Sequence, residues 1–338
     1  IMKSLTVATL LDRHDPDWKY QTKVYVDAPV REGVLDGNIV IVGSGDPTIN
    51  SPHEPRTPDF IAEIRDALRK KGVDSVAGRI IIDESLWAGP SCPPSWGTGN
   101  MSAYYGTGSH PFNFENNASG KSAIQNISPR FVSRLGNALR QAGIPVGGNQ
   151  LEEGRRRHLL THQSAPLEEI MRSCMMRSDN LFAECFLRTY SVAAGGDGST
   201  ASGAEIETDF WKKRNAPMEN VRLEDGSGLS RSNRLTARFL SFVLGEMADN
   251  VEYASFFPLA GQEGTLRNFM KNSKLDSYLA MKTGSMTGIQ CYAGYLLDDD
   301  FAPTHSIVVM VNNLKGDRSR LRADLGSFFL SLFQDMIP

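Results

Sequence analysis

Long apolar runs are missing from this chain: nothing approaches the roughly 18 residues that would span a bilayer. The longest candidates, Ile307 to Val311 and Phe328 to Phe333, suit a buried strand and a helix face. Cysteine is scarce. Cys92, Cys174, Cys185 and Cys291 show no CxxC spacing, which argues against a zinc site or a redox motif. On continuous helix Cys174 and Cys185 would stand roughly 16 Å apart, beyond disulfide reach, so buried free thiols are expected. A basic surplus is also missing. The net charge is −3, whereas a nucleic-acid binder usually carries an excess of Lys and Arg. The runs Arg155-Arg156-Arg157 and Lys212-Lys213-Arg214 are short enough to read as solvated surface. There is no internal repeat, and neither a metal nor a cofactor is expected. Finally, reading back three positions from each lysine beyond Lys3 never reaches a serine. A complete Ser-x-x-Lys pair, in which the amine can take the hydroxyl's proton, is therefore excluded after Lys3.

What is present describes an ordinary globular protein. With 338 residues, 40% hydrophobic and 22% charged, the chain can form two domains, or one large domain carrying an insertion. Residues 3–12 space Leu5, Ala8 and Leu11 or Leu10 as one side of a helix. Lys23 to Asp27 and Gly37 to Val42 read as strands, the second closed by Gly43-Ser44-Gly45-Asp46-Pro47. Pro58 to Lys71 is an amphipathic helix capped by Thr57 or Asp59 and ended by Gly72. Val76 to Asp83 suits a buried strand. Residues 88–120 mix Gly, Pro, Ser and Asn with Trp96, Tyr104, Tyr105, Phe112 and Phe114, an ordered surface rather than a linker. Helical texture returns near residue 160. Leu167, Ile170, Met171, Cys174 and Met175 form one face before Ser178, and Leu181, Phe182, Cys185, Phe186 and Tyr190 continue beyond it, with the Met residues as core filler. Tyr278 to Lys282, Tyr292 to Leu297 and Ser306 to Asn312 suit adjacent antiparallel strands. Arg318 to Met336 is a terminal helix expected to dock on them through Leu321, Leu325, Phe328, Phe329 and Leu332.

Two tripeptides carry the chemistry. Ser178-Asp179-Asn180 puts a hydroxyl and an amide two positions apart, either as a helix cap or as cleft-facing groups; the two readings are compatible. Lys282-Thr283-Gly284 offers a cation, a hydroxyl and a bare position where a substrate backbone can lie close. The sequence that follows, Ser285-Met286-Thr287-Gly288, leads into another strand and implies a hairpin at the cleft edge. Lys3 opens a helix, where a serine three residues before it would lie on the same face. The nucleophilic serine is therefore expected just before Ile1, outside the sequence. The chain begins without an initiator Met, so the sequence is silent on a signal peptide.

These motifs occur in the order used by penicillin-interacting serine enzymes. With Gly43-Ser44-Gly45-Asp46-Pro47-Thr48, Gly78-Arg79-Ile80-Ile81-Ile82-Asp83, Asp225-Gly226-Ser227-Gly228-Leu229-Ser230-Arg231, Pro258-Leu259-Ala260-Gly261 and Gly264-Thr265-Leu266, nearly the whole chain resembles the penicillin-binding protein 4 type D-alanyl-D-alanine carboxypeptidase/endopeptidases, the S13 peptidases. The resemblance implies an α+β, penicillin-binding or serine β-lactamase-like fold, an antiparallel sheet flanked by helices, with a large strand-rich insertion. Residues 1–23 and 160–338 would be the catalytic domain and residues 24–159 the insert, shorter than in the longest family members. It also implies Lys3 as general base, Ser178 as proton relay and Asn180 as holder of the substrate amide. Lys282, Thr283 and Ser285 would bind the terminal carboxylate beside Gly284. Met286 would line a stem-peptide pocket or pack in the core, with Arg231, Tyr104 and Tyr105 as weaker pocket candidates. The implied partners are peptidoglycan stem peptides ending in D-Ala-D-Ala and β-lactam antibiotics, at a periplasmic location, with no nucleic acid and no integral membrane segment. Two other readings stay open: a β-lactamase or esterase on the same scaffold, and a catalytically inactive peptidoglycan-binding module.

Overall fold

A computed structural model describes every residue except Pro55 and Pro338. The chain folds as two units. One comprises residues 1–16, 168–196 and 200–338, the other residues 17–167 and 197–199.

In chain order, the first unit supplies α1 (Met2–Leu10), and the second then supplies β1 (Gln21–Val26), β2 (Ile39–Val42), α2 (Phe60–Lys70), β3 (Ile80–Asp83), α3 (Ser128–Gln141) and β4 (Arg157–Gln163). The four strands form one sheet in the order β3-β2-β1-β4. Strands β2 and β3 pair parallel, Ile39 opposite Ile80, and β1 runs antiparallel to both β2 and β4. The amphipathic spacing of α2 buries Phe60, Ile64 and Leu68, and that of α3 buries Phe131, Leu135 and Leu139, in one cluster with Val24, Ile39 and Ile41. Asp59 rather than Thr57 caps α2, its carboxylate accepting from the Ile61 N–H at 3.1 Å. The aromatic loop divides in two. Phe112 and Phe114 enter the core against Phe131, whereas Tyr104 and Tyr105 meet edge to face and stay exposed.

The first unit resumes with α4 (Leu167–Arg177, whose first residue belongs to the second unit), α5 (Asn180–Ala193), α6 (Thr200–Lys213), α7 (Ala237–Glu246), β5 (Leu279–Met286), β6 (Ile289–Leu297), β7 (Pro303–Val311) and α8 (Arg318–Phe333). The strands make an antiparallel sheet, β5-β6-β7, with Thr283 opposite Tyr292 and Tyr292 opposite Val309. Strand β5 extends beyond the tripeptide, and Thr287-Gly288 turns it into β6 with Gly288 at φ +77°. Two expectations change here. The terminal helix docks through Phe329 and Phe333 beside Tyr292 and Phe269, leaving Phe328 and Leu332 exposed. Helix α1 is buried on every side, so its polar residues need partners within the unit. Thr6 donates to the Gly226 carbonyl at 2.8 Å, and Thr9 accepts from the Trp211 indole at 2.9 Å. Among the described residues no helix is long and apolar enough to cross a membrane.

Helix α6 carries a cost. Glu207 is fully buried and neither carboxylate oxygen has a hydrogen-bond partner, so burial pushes its pKa up to about 8. A carboxyl raised in the folded state contributes stability that is complete below its unfolded value and lost as pH climbs through the folded one. Glu207→Gln is therefore expected to match wild type at pH 5 and to exceed it at pH 8 by on the order of 2 kcal/mol, a few degrees of Tm. Thermal melts at the two pH values check this; equal Tm differences at both would refute it.

Candidate active site

Helix α4 ends in a Schellman turn: the Asp179 N–H bonds the Cys174 carbonyl at 3.1 Å, with Ser178 at φ +58° between them. Glycine usually takes that left-handed position, because a Cβ is penalised there. A serine held in this conformation marks a place where a side chain is used in spite of the strain. Asp179 then caps α5, accepting from the Phe182 N–H at 3.1 Å, and Asn180 becomes the first helical residue. The capping role thus falls to the middle residue, which frees the two outer side chains to face elsewhere.

Both of those side chains meet a lysine. Lys3 Nζ donates to Asn180 Oδ1 at 2.6 Å and to the Ser227 carbonyl at 2.8 Å. Lys282 Nζ donates to Ser178 Oγ at 2.9 Å and to the Thr283 carbonyl at 2.8 Å. Lys3 and Lys282 are both buried, and all four acceptors are neutral oxygens. Burial first, then the charge of Lys3, lowers the Lys282 pKa to about 7. Burial lowers that of Lys3 as well, against the raising influence of Cys174, Asp179, Asp225 and Glu184. Two amines that lose protons readily and hold two hydroxyl- or amide-bearing side chains form a proton-handling centre. The nearby Cys174 is not a competing nucleophile, since burial pushes its thiol up to about 12.

The strand supplies the rest. The Leu279 carbonyl and Met281 N–H bond Ala260 and Pro258 along the outer edge of β5. Strand alternation then turns the N–H and C=O of Thr283 and Ser285 to that same edge. Thr283 Oγ1 donates to Thr265 Oγ1 at 2.8 Å. Ser285 is exposed and Met286 half-buried, the Met286 carbonyl accepting from Arg318 at 2.8 Å. A Cβ on Gly284 would sit 2.8 Å from the Ile1 backbone nitrogen, so only glycine lets α1 begin against β5.

The structure therefore brings Lys3, Ser178, Asn180, Lys282, Thr283 and Gly284 together. Arg231 is exposed at the end of the loop that carries Ser227, outside this hydrogen-bond network, and Tyr104 and Tyr105 belong to the other unit. Ser227 and Glu184 were not singled out as site residues. The Ser227 carbonyl is a ligand of Lys3, and Glu184 Oε1 accepts the Ser227 N–H at 2.8 Å. One signal for Glu184 was available: it follows Asn180 by four, which puts both on one helix face.

The profile described as the D-Ala-D-Ala carboxypeptidase 3 (S13) family matches residues 1–126 and 107–327. A carboxypeptidase of Mycobacterium tuberculosis is 27% identical over 322 residues, spanning 88% of this chain and 67% of its own length. A D-alanyl-D-alanine carboxypeptidase of Haemophilus influenzae is 22% identical over 360 residues, 83% of this chain and 73% of its own. The crystal structure of penicillin binding protein 4 from Haemophilus influenzae superposes with a TM-score of 0.83 at 19% identity, covering 99% of this chain and 90% of the other. This last likeness bears on the fold, which is the expected α+β one.

Proposed function

The chain belongs to the D-Ala-D-Ala carboxypeptidase 3 (S13) family, and from that premise we propose that it hydrolyses the terminal D-Ala-D-Ala bond of peptidoglycan stem peptides through a serine acyl-enzyme, at the site built around Lys3, Ser178, Asn180 and Lys282. One observation carries the assignment of the site: two buried lysines, distant in sequence, each hold one outer residue of Ser178-Asp179-Asn180. The nucleophile is the serine that precedes Ile1 in the full-length protein, a placement favoured by the start of α1 lying against Gly284 of β5.

Lys3, with its lowered pKa, accepts the serine proton as the hydroxyl attacks the substrate carbonyl. The oxyanion is received by the N–H of that serine and by the Ser285 N–H at the outer edge of β5. Ser178, held by Lys282, relays the proton that Lys3 took from the serine to the leaving amine while Lys282 stays protonated; Asn180 holds the substrate amide, and the extended peptide adds to β5 as a further strand. Lys282 with Thr283 and Ser285 receives the terminal carboxylate, a charge-assisted contact that a buried cation among neutral oxygens favours. Water then releases the acyl group. A β-lactam acylates the same serine and leaves slowly. The unit holding residues 1–16, 168–196 and 200–338 is the catalytic one, and the unit of residues 17–167 and 197–199 is accessory. The substrate implies a periplasmic location.

Fluorescent penicillin is expected to label the full-length enzyme stoichiometrically, with nitrocefin turned over only slowly. Absence of labelling would end the assignment, and rapid nitrocefin turnover would make the protein a β-lactamase.

A further inference from the structure

The Asp225-Gly226-Ser227-Gly228 loop is wedged between α1 and α5. A Cβ on Gly226 would come within 2.5 Å of the Ala183 carbonyl, and one on Gly228 within 2.9 Å of Met2 Cβ. Nearly every polar group of the loop is held. Thr6 donates to the Gly226 carbonyl, and the Asp225 carboxylate accepts from the N–H groups of Gly228 and Ser230 and from the Asn233 amide. Ser227 is the residue of this loop that meets the catalytic amine. Its carbonyl accepts from Lys3 Nζ at 2.8 Å, while its own N–H donates to Glu184 Oε1 at 2.8 Å. Glu184 is fully buried on α5, one turn after Asn180. It thus stands behind the second ligand of Lys3 and, on the same helix face, below the first.

We propose that Glu184 is the positioning residue of the general base, fixing the Ser227 carbonyl against Lys3 by accepting the Ser227 N–H. The inference rests on Lys3 being the base. Glu184 touches no reacting atom; it acts through the loop. Burial, then the Asp225 charge, pushes the Glu184 pKa up to about 8. Lys3 from α1 and Asp225 from the loop are charge-coupled to Glu184, and the buried Arg188 follows it by four residues on α5. Cys174 from α4 and Asp179 from the turn that follows it bear on Lys3, and Asp225 bears in turn on Glu207 of α6. When Glu184 ionises above pH 8, its negative charge holds the proton on Lys3 and removes the free base.

The test uses the full-length enzyme and three readouts: fold by thermal melt, acylation rate with fluorescent penicillin, and kcat and KM for D-alanine release, each from pH 6 to 10. Glu184→Leu, which keeps the bulk and loses the acceptor, is expected to slow acylation by about ten- to a hundredfold with KM unchanged. Glu184→Gln keeps the acceptor oxygen and cannot ionise. Its kcat is expected to stay within about threefold of wild type at neutral pH and to hold above pH 8, where that of wild type declines. A folded Glu184→Leu enzyme acylating at the wild-type rate would overturn the proposal. If Glu184→Leu does not fold, Glu184→Gln decides: a tenfold loss at pH 7, or an alkaline limb unchanged from wild type, would overturn it. Failure of the wild-type enzyme itself to label is the different result that removes the underlying catalytic assignment.

Discussion

Lys282→Ala is expected to lower D-alanine release by about three orders of magnitude, because one side chain serves two charge-dependent steps. Its ammonium is buried beside neutral oxygens, Ser178 Oγ and the Thr283 carbonyl. A buried cation in such surroundings is costly until an anion joins it, which is what a substrate carboxylate does. Alanine removes that counter-charge and leaves the Ser178 hydroxyl without its donor, so binding and leaving-group protonation fail together. The sign of the pH effect follows from a pKa near 7 in the free enzyme. Below it the cation is ready for the carboxylate, and above it binding must take up a proton. KM for a carboxylate-bearing substrate is therefore expected to rise above pH 7, by up to tenfold per pH unit. Steady-state assays across pH, with the melting temperature as a control for folding, check both statements. Wild-type release from a folded Lys282→Ala enzyme would remove Lys282 from the site.

Lys3→Arg should be nearly as damaging as Lys3→Ala, with acylation by fluorescent penicillin slowed by about a hundred- to ten-thousandfold in each. Arginine keeps the positive charge and reaches the same region, but a guanidinium does not give up its proton in a protein. A base role predicts that arginine fails; a purely electrostatic role predicts that it rescues. Burial lowers the Lys3 pKa, so acylation by the wild-type enzyme should rise with pH as the free amine forms, up to the point at which Glu184 ionises. Arginine restoring even a tenth of the wild-type rate would count decisively against the base.

Much of the fold was legible because local physics decides it. The 3.6-residue apolar spacing over Phe60 to Leu68, the Asp59 cap and the Gly72 end announce α2 without reference to the rest of the chain. The short apolar run from Tyr292 to Leu297 does the same for β6. Helix α8 was placed correctly, but of its expected docking face Leu325 and Phe329 pack on the core while Phe328 and Leu332 stay exposed. Hydrophobicity marks Phe328 and Phe329 equally, and only the position of Phe269 and Tyr292 selects Phe329 and Phe333. Helix α1 was read as one-sided because burial of Thr6 and Thr9 depends on partners, Gly226 and Trp211, more than 200 residues away.

The same division runs through the site. Residue type and order along the chain, without coordinates, picked out residues that meet in the fold: a lysine at a helix start, then Ser178 and Asn180, then Lys282-Thr283-Gly284 on a strand. Those are properties of side chains and of short backbone segments, which sequence states directly. Which lysine holds which partner was decided by the tertiary structure alone. Lys3 reaches Asn180 across 177 residues and Ser227 across 224, and Lys282 reaches Ser178 across 104. No local period encodes contacts at such separations. They arise because α1, α5, the glycine-flanked Ser227 loop and β5 bury their surfaces against one another, and that burial also removes water from both lysines and makes their protons available.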